Sequence, residues 1–396
     1  MADPLLLLAG VLVDGTGGPP LRDAAVLVAD GRIAAVGPRS DVPAAGAEVL
    51  DFHAHTVIPG LIDGHVHLAW GLANDQAWQA IAGSTAQYSA WALAAVQAAV
   101  DVGVTTVRDC GAPEGVTLEL RDLVATGVVL ASRVLAVGPC LTTTGGHGDF
   151  LGVTADSADE LRLAIRSLAA RRPDAIKVMA TGGSMDPHTN RRRAQYTVDE
   201  LRAVVDEADR FGLHVVAHAN ATEGIRRSVE AGVRTIAHCN FLATAAGRLD
   251  VDPAVVASML EQGTYVDLNL GAATAPLTRR DARDHDPSDV PADRWELLRG
   301  AGLADRVYFS SDGFGPGIAG FPAQLVSVGQ HWRLPAEELV WRVTGLAADA
   351  LEVSDSYGRL SPGLAADLVV LDGDLTADLG ALTRVTTVLT AGRRVG

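Results

Sequence analysis

The sequence predicts an α/β protein: a (β/α)8 TIM barrel with a small β-sandwich-like domain formed by both chain termini. Two observations carry this reading. From Pro59 to about residue 350, apolar β-rich runs alternate with Ala/Leu-rich helical segments, the pattern of a parallel sheet covered by helices. Outside that stretch, short apolar runs are broken by turn dipeptides, a style that the two ends share.

The opening strands are Leu5 to Leu8, Val11 to Val13, Ala25 to Ala29, Arg32 to Val36 and Val49 to Asp51, punctuated by Asp14-Gly15 and Asp30-Gly31. Eight strands are then expected, at Leu61–Leu68, Val104–Asp109, Arg133–Pro139, Ala175–Thr181, Leu213–Ala219, Thr235–Cys239, Thr264–Leu268 and Arg306–Asp312. Each precedes a helix-like segment, and eight βα units close into a barrel more readily than they form an open sheet. At the far end, Ala366 to Asp372 and Val385 to Arg393 return to the short-strand style. The expected division is a composite small β domain from 1–58 plus 356–396, flanking a barrel over 59–355.

With 32 Lys+Arg against 48 Asp+Glu the formal charge is −16, so the field of the whole molecule repels polyanions. Neither a nucleic acid nor an anionic membrane is an expected partner. A hydrophobic fraction of 48% with 20% charged residues suits a compact enzyme and excludes a disordered or fibrous chain. Cys110, Cys140 and Cys239 each lie in an apolar run without CxxC spacing, so a disulfide framework is not expected and a reducing, cytoplasmic setting is. The Leu5–Leu8 run has no basic segment before it, and no apolar stretch approaches a membrane span.

The chemistry is concentrated at strand ends. Pro59-Gly-Leu-Ile-Asp-Gly-His65-Val-His67 closes the first barrel strand with two histidines two apart, and a period of two sends both to one face, the barrel interior. His218 and His238 close the fifth and sixth strands, and Asp312 closes the eighth. Imidazoles and a carboxylate at the C-terminal ends of several barrel strands are what a metal site at the barrel mouth requires. His214 lies lower on the fifth strand, as a group behind the ligands or as core. Lys177 stands in the middle of the apolar fourth strand, where an unpaired ammonium is costly. It either reaches a carboxylate at the rim or carries a carbamate, a carboxylate-like anion able to bridge two ions.

Taken together, "PGLIDGHVH", "LTTTGGHGD", "AIKVMATGG" and "GLAADLVVLDGD" resemble the imidazolonepropionase-like branch of the amidohydrolase superfamily, which also holds Xaa-Pro and Xaa-Arg dipeptidases and ochratoxinase-like amidases. The resemblance spans essentially the whole chain. It implies a binuclear centre of two divalent metal ions, zinc first and manganese, iron or cobalt as other choices. His65, His67 and Asp312 would hold the more buried ion and His218 and His238 the more exposed one, with carbamylated Lys177 and a hydroxide bridging both. Asp312 would act as general base, passing the proton to the leaving nitrogen, and His147, in the Gly-rich loop after the third strand, would touch the substrate near the scissile carbonyl.

The implied activity is metal-dependent hydrolysis of a C–N bond in a small-molecule substrate: an amide, a peptide-like bond or a cyclic amide. Deamination or lactone hydrolysis would use the same centre, and a catalytically silent metal-binding barrel is the reading from another class. A homo-oligomer is compatible with either. The chain departs from its relatives on the substrate side. A tyrosine common two residues after the first lone histidine is Asn220, the common "EHG" after the sixth strand is replaced in His238-Cys239-Asn240, and the usual Gly-Thr-Asp is Ser310-Ser311-Asp312. Arg191, in the basic run Arg191–Arg193, reads either as a solvated loop residue or as a clamp for a substrate carboxylate. Residues 272–291 read as a lid or a surface loop.

Overall fold

The computed structural model describes residues 4–44, 46–70, 83–183, 188–245, 248–271 and 292–395. The segment 272–291, expected as lid or loop, lies outside the described residues, as does the start of the basic loop at 184–187.

The chain opens with β1 (Leu5–Leu12), β2 (Leu21–Ala29), β3 (Arg32–Pro38) and β4 (Glu48–Pro59). The runs Leu5 to Leu8 and Val11 to Val13 were expected as two strands, yet β1 continues through Gly10. A Cβ at Gly10 would stand 2.0 Å from the His53 carbonyl oxygen, so glycine admits the neighbouring strand where the register shifts between Ala9 and Val11. Leu6 and Leu8 are buried in one apolar cluster and Leu7 and Ala9 in another, which explains an unbroken leucine run where alternation would mark a one-sided strand.

The barrel follows as β5 (Leu61–His67), β6 (Val104–Asp109), β7 (Arg133–Ala136), β8 (Cys140–Thr142), β9 (Gly152–Thr154), β10 (Ile176–Met179), β11 (Val215–Ala221), β12 (Thr235–Leu242), β13 (Tyr265–Asn269), β14 (Val307–Ser310) and β15 (Gly313–Phe314). Helices Thr85–Asp101, Val116–Ala125, Ala158–Ala169, Val198–Asp209, Thr222–Glu230, Pro253–Gln262, Ala292–Gly300 and Phe321–Trp332 alternate with them. Thr197 and Glu200 form the capping box that starts one of these helices, and Ser84 with Gln87 starts another. Among the described residues no helix is long and apolar enough to cross a membrane.

Two of the expected strands are split, and the splits join the parallel sheets into a ring. The third is β7, paired with β6, and β8, paired with β10; Gly138 turns the chain between them at φ +70°. The eighth is β14, paired with β13, and β15, paired with β5. Asp312 stands at that second break with φ 53°, and its N–H donates to the His65 carbonyl at 2.9 Å. Strands β5 and β6 are buried at every position, as a barrel covered by helices requires. His214 immediately precedes β11, its side chain almost wholly buried, and pairs with Glu352 at 3.2 Å.

The chain ends in β16 (Leu368–Asp372), β17 (Val385–Thr390) and β18 (Arg393–Val395), which join the opening strands in one seven-stranded sheet of order β18-β17-β16-β4-β1-β2-β3. A polar contact ties this sheet to the barrel. Arg133 of β7 donates to Asp367 at 2.5 Å and lies 4.0 Å over the Tyr357 ring, while the same carboxylate accepts the Ala391 N–H at 2.7 Å. Asp367 is buried and Arg133 is about one third exposed. Arg133→Met strands that carboxylate, so unfolding in urea should require about 2 kcal/mol less, under the range for a fully buried pair because of the arginine's exposure. Arg162→Met, which breaks only an exposed pair with Asp159, is the control whose midpoint stays put. Equal midpoints for the two variants would refute the coupling.

Candidate metal centre

The two histidines of β5 enter the barrel interior together, as the parity of the strand demands. Nε2 of His65 and Nε2 of His67 each lie 3.6 Å from Oδ1 of Asp312. These donor atoms all fall within 4.8 Å of one another, a spacing compatible with a shared ion. The left-handed backbone at Asp312 is uncommon for a non-glycine residue, and the structure around it is cross-braced. Buried Asp63 accepts the Ser311 N–H at 2.9 Å, locking the eighth strand onto the first. Gly64 must lack a Cβ, which would press to 2.6 Å from the Tyr308 ring.

A second layer orients the first. His65 Nδ1 hydrogen-bonds Asp267 Oδ2 at 2.7 Å, which directs Nε2 toward His67 and Asp312. Asp267 also accepts the Ser310 hydroxyl and lies 3.9 Å from the Arg108 guanidinium, itself bonded to the Gly64 carbonyl and the Tyr308 hydroxyl. Lys177 is fully buried in β10, with Nζ 3.4 Å from His65 Nε2. Beyond His65 the rings run on in contact: His65 to His238 at 5.6 Å between centroids, His238 to His218 at 4.4 Å, and His218 to His147 at 4.4 Å. An aromatic group flanks His67, where Phe314 and Trp70 stack at 4.6 Å and Phe150 leans on Trp70.

Burial opposes a proton on His65, but Cys110 and the Asp267 carboxylate outweigh burial and Lys177 and push its pKa up to about 10. Burial likewise opposes charge on Asp312, yet the hydrogen bond from His67 and the positive charge of His65 hold its carboxyl well below the usual carboxylate range. Burial pushes His238 down to about 3, against the pull of Asp312, and His218 well below the ordinary value. The field therefore favours positive charge between Asp267 and Asp312 and leaves His218 and His238 neutral, with lone pairs to share.

His65, His67, Asp312, Lys177, His238, His218, Asn220 and His147 are thus brought into one connected group. Arg191 lies partly buried on the loop after β10, whereas the adjacent Arg192 donates to the Ala243 and Ala245 carbonyls. Sequence reasoning missed Asp267, Asn269, Arg294 and the aromatic flank. Asp267 was detectable by the argument applied to Lys177, since it too is a charge inside an apolar strand, Tyr265-Val-Asp-Leu-Asn269.

The family model for the amidohydrolase family matches residues 56–395. The chain belongs to that family. A model of the bacterial imidazolonepropionase-like composite domain matches residues 24–45. The amidohydrolase is 28% identical to Aspergillus niger ochratoxinase over 267 residues, covering 60% of this chain and 54% of that protein, so it spans about half the length of this curated relative. It is 29% identical to Salinispora tropica imidazolonepropionase over 401 residues, covering 94% and 93% of the two chains. Among solved structures, a prolidase complexed with N-methylphosphonate-L-proline superposes with a TM-score of 0.86 at 30% identity, covering 99% of each chain. The family to which the chain belongs generally uses divalent metals.

Asp267→Ala should weaken divalent-ion binding by about 10- to 100-fold through the lost orientation of His65, measured by competition with a chromophoric chelator. Unchanged affinity in the folded variant would show that Asp267 does not support the centre.

Proposed function

We propose that this amidohydrolase hydrolyses an amide or cyclic amide of a small molecule at a binuclear centre. In this reading His65, His67 and Asp312 hold one divalent ion, His218 and His238 hold a second, and a carbamate on Lys177 lies between them. Zinc is the first choice of metal. The observation that carries the proposal is the trio His65, His67 and Asp312, three donors converging within 4.8 Å beside a buried lysine amine. Imidazole nitrogens that have shed their protons and an ionised carboxylate are the donor types that zinc and similar ions accept, so an ion bound here would displace the proton that His65 otherwise holds, and Asp267 keeps His65 Nε2 directed inward.

When bound, such ions would acidify a water molecule and polarise the scissile carbonyl. The protein's own groups do the remainder. Asp312, at the rim between β14 and β15, takes the proton from the attacking water and returns it to the leaving nitrogen, which must be protonated to depart. His147, against the His218 ring, donates an N–H to the oxygen that gains negative charge. Asn220 and Arg191 are the polar groups proposed to meet the rest of the substrate. The stacked Trp70 and Phe314 beside His67 support a substrate with a flat or apolar flank. That the relatives include an ochratoxinase, an imidazolonepropionase and a prolidase supports this class of reaction without naming this chain's substrate.

Protein expressed with Zn²⁺ or Mn²⁺ should contain about two divalent ions per chain by elemental analysis, the count a bridged pair of sites implies. One ion or fewer on repeated preparation would overturn the binuclear reading. Lys177→Ala should lose the second ion and most activity, with partial recovery on adding a short carboxylic acid. Activity is to be found by screening N-acyl amino acids with aromatic and aliphatic flanks, dipeptides, hydantoin-like rings and lactones; turnover of lactones alone would refute C–N hydrolysis. On whichever amide is cleaved, Asp312→Asn should lower kcat by about 10²- to 10⁴-fold, the range for general acid–base groups. A near-normal kcat with metal bound would remove Asp312 from that role.

A further inference from the structure

The loop that carries His147 joins β8 to β9 and does not hold its own shape. Gly145 and Gly148, at φ 65° and 70°, stand close before and after the histidine. Glycine populates many backbone conformations, so a histidine set among glycines needs an outside anchor to keep one place. That anchor is Gln195. Its Oε1 accepts the His147 N–H at 2.8 Å, and its Nε2 donates to the Met179 carbonyl at 2.8 Å and to the Thr142 hydroxyl at 3.3 Å. The Thr142 hydroxyl donates its own proton to the His147 carbonyl at 2.9 Å. Both backbone polar groups of His147 therefore end on one amide, the N–H directly and the carbonyl through Thr142.

The direction of these bonds is unambiguous. A backbone N–H only donates and a backbone carbonyl only accepts, so the amide must turn its oxygen to His147 and its NH2 to Met179. The anchor is itself fixed to the barrel. The Gln195 N–H donates to the Ala180 carbonyl at 2.8 Å, the Gly182 N–H donates to the Arg193 carbonyl at 3.1 Å, and Thr181 and Ala194 form a bridge. The segment that follows the basic run thus lies against the chain leaving β10. The His147 ring is seated by the same stretch: a Cβ at Gly183 would stand 2.1 Å from it, and its face packs on the His218 ring with centroids 4.4 Å apart.

We propose that Gln195 is a positioning residue that ties the backbone of His147 to β10, the strand that carries Lys177, and so fixes where the imidazole stands in the site. Because Gln195 also ends the loop that carries Arg191, the two loops proposed to meet the substrate are joined through this one side chain. The inference rests on the hydrolase reading only for what His147 does to the substrate. The tether itself is a set of hydrogen bonds that can be tested without turnover.

The full-length, metal-loaded chain is to be compared with Gln195→Met, which keeps the length of the side chain but has no amide, and with Gln195→Asn, which is one methylene too short and serves if Gln195→Met does not fold. Backbone amide exchange, read by mass spectrometry with fragmentation to single residues, should be about 10-fold or more faster at His147, the effect of losing a buried hydrogen bond. The amides of β11 should keep their protection, which separates a local release from a general loss of stability. On an amide that the wild-type protein cleaves, kcat should fall about 10- to 100-fold, the scale of a misplaced group, with ion content unchanged by elemental analysis. His147→Ala should lose at least as much, and adding Gln195→Met to it should lower kcat no further, because nothing is left to position. Unchanged exchange at His147 in a folded variant, or additive losses in the double variant, overturns the proposal. Faster exchange at His147 alongside full kcat in both Gln195→Met and His147→Ala supports the tether and counts against the role that the hydrolase reading gives to His147.

Discussion

The 2.7 Å hydrogen bond between His65 Nδ1 and Asp267 is the contact on which the rest of the centre hangs. A carboxylate buried in a barrel is costly unless every lone pair is used, and Asp267 meets that demand with His65, the Ser310 hydroxyl and the nearby Arg108 charge. Those partners come from β5, β14 and β6 around a carboxylate on β13, so the bond is also a brace between the first and seventh barrel strands. Through it the imidazole loses its freedom to rotate, and Nε2 is committed to the cavity shared with His67, Asp312 and Lys177. Moving the carboxylate one position along β13 would send it to the other face of the sheet and leave His65 undirected.

Strain is concentrated where the site is. His238, within β12, and Asp312, at the break between β14 and β15, both take left-handed backbone conformations, which non-glycine residues adopt reluctantly. Such conformations persist because neighbouring bonds over-determine them. Asp312 is tied through its own N–H to His65 and through Ser311 to Asp63. His238 is tied through its N–H to Asn269 Oδ1 at 3.0 Å. The breaks in the strands therefore aim side chains, and they are held from β5 and β13 rather than by the turns themselves.

Much of this was legible in the sequence because barrel strands buried on both faces read as plain apolar runs, and all eight were found. The His-x-His pair was legible because alternation fixes its face regardless of distant context. The single strand through Gly10 was hidden because glycine there serves a close approach by β4, which local pattern reads as a break. The split third and eighth strands were hidden because pairing partners change within one apolar run. His214 looked like part of β11 by spacing, yet the strand begins one residue later and its ring is taken by Glu352. Asp267 and the tether of His147 to Gln195 depend on groups 48 or more positions apart, which periodicity does not connect.

The terminal sheet places the first strands of the chain against the last. Strand β4 lies between β1 and β16, and the Thr56 hydroxyl is bonded to the Gly373 carbonyl 317 positions away. On a ribosome, β1 to β4 are complete while nearly all of the barrel is still unmade, and one edge of β4 waits for β16 through the whole of its synthesis. That waiting edge is an open row of backbone donors and acceptors, the kind of surface that pairs with other chains. The stretch Glu48 to His55, largely exposed even in the finished fold, occupies the outer part of the strand, and its charged and polar members Glu48, Asp51, His53 and His55 oppose such pairing. The order of manufacture thus bears on the composition of β4, where residues with little to pack against in the native state keep a half-made molecule from joining its neighbours.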